Sequence, residues 1–172
     1  MSLKKLNIGC GNRIKRGYDN LDVLNIPNIK YPLTDARELP VKDNTYDEIF
    51  SQWVLEHFAE NEIVSLLQEW KRVLRPNGKM EVITNNQEAI NNGLLNEELT
   101  WDEWVWLTYG ADTKNYGGCH KVAFTKDSIV KYLDRVNFSD YSIKVTTKVK
   151  GEQGELKCPG IIITAIKLSK DK

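Results

Sequence analysis

The sequence predicts an α/β domain built on a mostly parallel sheet with helical connections. Three observations carry this. A short apolar segment, Leu6-Asn7-Ile8, runs directly into Gly9-Cys10-Gly11, the pattern of a strand that ends at a ligand-approaching loop. Further short strands follow at Asn20–Val23, Asn28–Leu33 and Tyr46–Ser51, of which Asn28–Leu33 is the weakest. The period then changes, because Ile63, Leu66, Leu67, Trp70, Val73 and Leu74 recur at helical spacing over Asn61–Leu74. The turn Arg75-Pro76-Asn77-Gly78 ends that helix and a strand over Lys79–Thr84 follows, so strand and helix alternate as a parallel sheet requires.

Only residues 9–19 separate the first two strands, short for a parallel crossover. The first helix is therefore expected to be very short or replaced by loop. Asn85–Gly118 reads as an insertion with a short helix around Trp101, Trp104 and Trp106 and a long polar loop over Asp112–Gly118. Thr125 caps a helix over Lys126–Val136, with Ile129, Val130, Leu133 and Val136 on its apolar face. Tyr141–Val149 and Ile161–Leu168 read as an antiparallel pair completing the sheet, joined by a long turn over Lys150–Pro159. No internal repeat interrupts this order, so residues 1–172 are expected to form a single domain with an insertion at about 85–118.

Composition narrows the function. The chain has 172 residues, 24 Lys plus Arg against 24 Asp plus Glu, and 41% hydrophobic residues, the profile of one soluble globular module. Zero formal charge gives no global pull toward nucleic acid or anionic lipid. Cys10, Cys119 and Cys158 are scattered, without metal spacing or a disulfide framework, which suits a reducing compartment. No secretory leader is visible, and Ile161–Ile166 is too short to span a bilayer, so a cytoplasmic protein is expected.

The motif series resembles the class I S-adenosylmethionine-dependent methyltransferases, in their small generic methyltransferase-domain form. The resemblance rests on Leu6–Gly11, Asp22, Asp35-Ala36 with Leu39-Pro40, Asp47–His57 and Arg72–Gly78, and extends to His120 and Phe124-Thr125. It implies a Rossmann-like methyltransferase fold: a mostly parallel seven-stranded sheet with an antiparallel final strand, here with the N-terminal helix missing or shortened. It implies S-adenosyl-L-methionine as cofactor. Gly9 and Gly11 then belong to the loop under the methionine part, Asp22 takes the ribose hydroxyls, and Asp35 with the Ala36 backbone reads adenine. Ser51 and Gln52 match the cofactor-facing strand end, and Asn7, Cys10, Val23 and His57 complete the cofactor-binding set.

The residue chemistry agrees with those roles. Glycines let backbone approach a ligand, and a carboxylate after the second strand can accept both ribose hydroxyl protons. Gly9, Asp22, Asp35 and Ser51 all fall at strand ends, where open parallel sheets bind ligands. Rival cofactors fit worse: Ile14 stands where a dinucleotide fingerprint needs its third glycine, and no nucleoside-triphosphate loop or nucleophile elbow is present.

The remaining candidates carry two readings each. His120 and, second to it, His57 are the catalytic candidates as proton acceptors; each serves equally as a hydrogen-bonded loop anchor. Glu56 shares the join at His57. Trp101 and Trp104 share a helical face, while Trp106 points elsewhere; the cluster is either local core or an aromatic lid. Cys10 reads as a packed small residue, and Arg13, Lys15 and Arg16 as a solvated connection or an anion patch. No metal site is expected. The function expected is methyl transfer to a small-molecule acceptor, with a non-catalytic cofactor-binding regulatory or protein-interaction module as the alternative. No clear nucleic-acid partner or membrane span is expected. The short first crossover and early first strand leave one sheet face without cover, which a homodimer, a membrane side or a protein partner would supply; of these a homodimer is expected.

Overall fold

The computed structural model describes residues 3–111, 118–146, 149–151, 154–156 and 158–169. Four strands open the sheet: β1 (Lys5–Ile8), β2 (Asp19–Leu21), β3 (Tyr46–Gln52) and β4 (Leu74–Asn85). Two short 3-10 turns, Leu55–His57 and Glu60–Glu62, lead from β3 into helix α1 (Ile63–Val73). Helices α2 (Gln87–Leu95), α3 (Trp101–Tyr109) and α4 (Lys126–Arg135) follow, then β5 (Asp140–Thr146), β6 (Val149–Gly151), β7 (Gly154–Leu156) and β8 (Gly160–Ile166).

The main sheet has six strands, in the order β2-β1-β3-β4-β8-β5, rather than the expected seven. It is also more mixed than expected. β1 pairs parallel with β2 and β3, and β3 with β4, whereas β8 runs antiparallel to both β4 and β5. The missing strand is Asn28–Leu33. It shrinks to a single bridge between Tyr31 and Leu21, held by the Tyr31 N–H on the Asn20 carbonyl and the Asp22 N–H on the Tyr31 carbonyl, both at 3.1 Å. Pro32 removes a ladder donor within the segment, and Asn28 and Leu33 take φ of 62° and 53°, outside the extended region. The segment therefore touches the edge of β2 without continuing it.

The β1–β2 crossover carries no helix: residues 9–18 are turns, as the short spacing requires. Asn7 organises them from within the sheet. Its amide donates to Asn20 Oδ1 at 2.8 Å, and Asn20 Oδ1 also receives the Lys15 N–H at 2.8 Å.

The core lies on one face of the sheet. Leu6, Ile49, Met80 and Ala165 are in register across four strands, as are Ile8, Ser51, Val82 and Ile163. Ile63, Leu66, Leu67, Trp70 and Val73 of α1 and Ile129 and Leu133 of α4 bury against them. The two helices are tied end to side: Lys71 Nζ donates to the carbonyls of Val136 and Asn137 at 3.0 and 2.9 Å, satisfying the C-terminus of α4. Thr125 accepts the Ser128 N–H at 3.2 Å and starts α4 where the sequence places its cap.

The opposite face carries charge. Lys5 pairs with Glu48 at 3.1 Å, and Lys79 lies 3.9 Å from Glu48 and 3.5 Å from Glu81. These cross-strand pairs solvate a face that the short crossover leaves without a helix, which gives a physical alternative to cover by a second copy.

Two corrections fall in the insertion and the last link. The described residues of 85–118 hold two helices, not one; Asn86, accepting the Ala89 N–H, starts the extra helix α2. The link from Lys150 to Pro159 carries a hairpin of β6 with β7. Residues 112–117 of the expected long loop, and 152, 153 and 157 of the link, lie outside the described residues. Among the described residues no helix is long and apolar enough to cross a membrane.

Candidate active site

The strand ends open into two adjoining chambers of about 490 Å³ each. Gly9, Gly11, Trp53, His57 and Gly118 line both, so the chambers meet at the loop after β1 and the turn after β3.

The first chamber is built around Asp22, which sits just past β2 and is nearly buried. Its Oδ2 accepts the Gly11 N–H at 2.7 Å and its Oδ1 the Leu24 N–H at 2.9 Å. Gly9 makes a sharp turn at φ +67°, and its N–H and that of Cys10 both reach the Leu21 carbonyl, at 2.9 and 3.0 Å. A Cβ on Gly9 would lie 2.3 Å from Val54 Cγ2, so loop and turn pack backbone against side chain. Space for a Cβ on Gly11 is open to 4 Å. Val23, Leu24, Val54 and Phe58 add apolar wall, and Asp35, Ala36 and Arg37 close the far side. Asp35 is clamped by Arg37, whose guanidinium approaches to 2.6 Å and holds the carboxyl below its ordinary range. The Ala36 carbonyl accepts the Trp70 indole N–H at 3.0 Å, so the core helix α1 fixes that backbone.

The second chamber lies between the ends of β3, β4 and β8 and the insertion. Cys10, Arg13, Gln52, Glu56, Asn85, Trp106, Leu107, His120 and Cys158 line it with the shared residues. Gly110 bridges Cys119, and the His120 N–H donates to the Tyr109 carbonyl at 2.9 Å, which brings residues 109–110 and 119–120 together beside this chamber. Gly110 has φ +77° and a Cβ there would fall 2.1 Å from the Gly118 carbonyl oxygen, so this approach needs glycine.

Glu56 is the deepest charge-bearing group. Its Oε2 accepts the Thr84 hydroxyl at 3.0 Å, and full burial lifts its pKa from 4.5 to about 7. His57 Nδ1 donates to the Cys119 carbonyl at 3.1 Å, and its ring centroid lies 5.1 Å from that of His120, edge to face. Burial lowers both pKa values, and the His57 neighbour lowers that of His120 further, which favours neutral imidazoles. Burial also pushes the thiols of Cys10 and Cys158 up, to about 11 and about 12, so neither is a ready nucleophile.

Of the expected cofactor set, Gly9, Gly11, Asp22, Val23, Asp35, Ala36 and His57 line the first chamber, and Cys10 and Gln52 the second. Asn7 and Ser51 are buried inside the sheet, the Ser51 hydroxyl donating to the Ile8 carbonyl at 3.2 Å. Neither is among the lining residues of the two chambers. Sequence pattern places Glu56 only at the join with His57 and gives Asn85 no site role beyond the start of the insertion. A buried strand that runs into polar Asn85-Asn86 is the pattern that marks this strand end as a site. The tryptophans divide: Trp104 packs with Ile90 and Leu107, Trp101 stacks on it at 5.0 Å yet stays exposed, and Trp106 lines the second chamber. Among the described residues no group of three His, Cys, Asp or Glu side chains is placed to hold a metal ion.

Residues 12–82, which include Asp22, Asp35 and Glu56, match the family described as the methyltransferase domain. No curated protein sequence matches the chain. A solved S-adenosylmethionine-dependent methyltransferase from Methanosarcina mazei aligns over 97% of this chain and 93% of its own, at 20% identity and a TM-score of 0.64. One from Archaeoglobus fulgidus aligns over 96% and 86%, at 14% identity and a TM-score of 0.65. The YcgJ protein of Bacillus subtilis aligns over 98% and 93%, at 12% identity and a TM-score of 0.63. At these identities the likeness to solved structures is one of fold. With the matched segment, it makes this chain similar to the S-adenosylmethionine-dependent methyltransferases: residues 12–82 carry the family likeness and the remainder shares their fold.

Proposed function

We propose that this domain methylates a small-molecule acceptor, with the cofactor in the first chamber and the acceptor in the second. The observation that supports this most is the shared wall at Gly9, Gly11, Trp53, His57 and Gly118, where the two chambers join. A binding-only module has no need of a second open chamber at that junction.

The residues of the first chamber fit the cofactor. Asp22 is a fixed carboxylate whose two oxygens each accept one backbone N–H and retain lone pairs for a ribose diol. The open side of Gly11 leaves room for the amino-acid portion, and Ala36 beside Asp35 supplies the edge for adenine, with Leu24, Val54 and Phe58 as its apolar walls. When bound, the cofactor's sulfonium supplies an electrophilic methyl group. The protein's own task is positioning and proton handling. His57 donates from Nδ1 to Cys119, which leaves Nε2 as an acceptor at the seam. His120, held neutral, is the second group able to take a proton from an acceptor.

The test is to incubate the protein with S-adenosylmethionine and a pooled metabolite extract and to measure S-adenosylhomocysteine by mass spectrometry. Product above the acceptor-free control supports transfer. Cofactor binding without product across a broad acceptor set supports a regulatory module instead.

A further inference from the structure

The second chamber holds more unanswered hydrogen-bonding capacity than a protein interior ordinarily keeps. Buried polar atoms are normally paired. Here Gln52 Nε2, Glu56 Oε1, Asn85 Oδ1, Asn85 Nδ2 and His120 Nδ1 are all buried without a partner. The four residues come from separate places in the chain: the end of β3, the turn after it, the end of β4 and the segment that follows the insertion. All four line the one chamber. Packing accounts for a single orphan; four side chains converging on one space describe a ligand site.

We infer that the second chamber binds a small molecule bearing an amine- or amidine-type nitrogen, which it presents to Glu56 Oε1 and Asn85 Oδ1. That this molecule is the methyl acceptor rests on the function proposed above; its chemical class rests on the chamber alone. Trp106 and Leu107 form the apolar side against which the rest of the molecule lies.

The balance of donors and acceptors selects the class. Asn85 Oδ1 is an acceptor, as is Glu56 Oε1 in its ionised form, and His120 Nδ1 is a third when the neutral ring carries its proton on Nε2. Against these stand two donors, Gln52 Nε2 and Asn85 Nδ2. Exchanging the two ends of the Asn85 amide leaves that count unchanged. A ligand with only carbonyl or ether oxygens would leave the Asn85 oxygen unanswered and could meet Glu56 only in its protonated form, whereas an amine nitrogen answers both Asn85 Oδ1 and the ionised Glu56. An anionic ligand would meet the Glu56 carboxyl at the buried end, while the cation of the chamber, Arg13, belongs to an exposed residue. A cationic nitrogen beside Glu56 favours its ionised form, offsetting the burial that now opposes it.

The test is isothermal titration of three matched probes, 2-phenylethylamine, 2-phenylethanol and 3-phenylpropionate, with and without saturating S-adenosylhomocysteine. The amine should bind at least about ten-fold tighter than either partner, the effect of one charge-assisted buried hydrogen bond. Glu56→Gln should erase that preference while keeping S-adenosylhomocysteine affinity within about two-fold, since Glu56 lies outside the first chamber. Asn85→Ala, a second variant should the first fail to fold, should weaken the amine about five-fold. Equal affinities, a preference for the carboxylate, no binding by any probe, or an amine preference intact in Glu56→Gln would each overturn the inference. An amine preference without S-adenosylhomocysteine binding would uphold it and overturn the proposed function.

Discussion

The carboxylate of Asp22 receives the amide hydrogen of Gly11 at 2.7 Å, and through that bond the end of β2 holds the loop that follows β1. The same carboxylate takes the Leu24 N–H at 2.9 Å. Asp22 is thus both the anchor of the loop and the polar centre of the first chamber.

Asp22→Ala should therefore weaken S-adenosylhomocysteine binding by about 10- to 100-fold, the range for losing charge-assisted hydrogen bonds. Asp35→Ala should cost less, because the Asp35 carboxyl is already engaged by Arg37 at 2.6 Å. Calorimetric titration of the two variants checks the order. Equal losses would place the ribose elsewhere.

Gly9→Ala should destabilise the fold by about 1–3 kcal/mol, combining an overpacked contact with a left-handed backbone. The added Cβ meets Val54 Cγ2 at 2.3 Å and the residue keeps φ +67°. Gly9→Ala with Val54→Ala should recover the steric part and not the backbone part. Urea unfolding of both variants measures the split.

Glu56 makes stability depend on pH in a stated direction. Its folded pKa, about 7, lies above the ordinary 4.5, so the folded state binds the proton more tightly than the unfolded chain. The contribution is fully present below pH 4.5 and is lost as pH rises toward 7. Glu56→Gln removes this term, and should stabilise the ligand-free protein at pH 8 relative to pH 4.5 by up to roughly 3 kcal/mol. Thermal melts of both proteins across that range decide it; parallel pH profiles would show that Glu56 is not the buried acid described.

Much of the first chamber was legible in the sequence because its residues stand at strand ends, and strand ends are read from pattern. Gly9, Asp22, Asp35 and Ala36 converge as expected. Pattern does not say which way a strand-end side chain turns, which is why Asn7 and Ser51, polar and well placed along the chain, lie inside the sheet. The seventh strand failed at Asn28–Leu33, where Pro32 and two left-handed residues outweigh the apolar positions. The second chamber was less legible. Asn85, Trp106, His120 and Cys158 are far apart in sequence and meet only through the pairing of β4 with β8 and the bridge at Gly110. Helix α3 was legible as a short helix around its tryptophans, while its start is set by a capping box that pattern alone did not single out, in which Glu103 accepts the Thr100 N–H at 2.8 Å.

The arrangement of two joined chambers is tested most directly by a crystal structure of the protein with S-adenosylhomocysteine. The account predicts its ribose hydroxyls on Asp22, its adenine beside Asp35 and Ala36, and its sulfur at the seam near Trp53 and His57, with the space among Glu56, Asn85 and His120 left for the acceptor. A nucleoside seated among Glu56, Asn85 and His120, or no binding at Asp22, would contradict it.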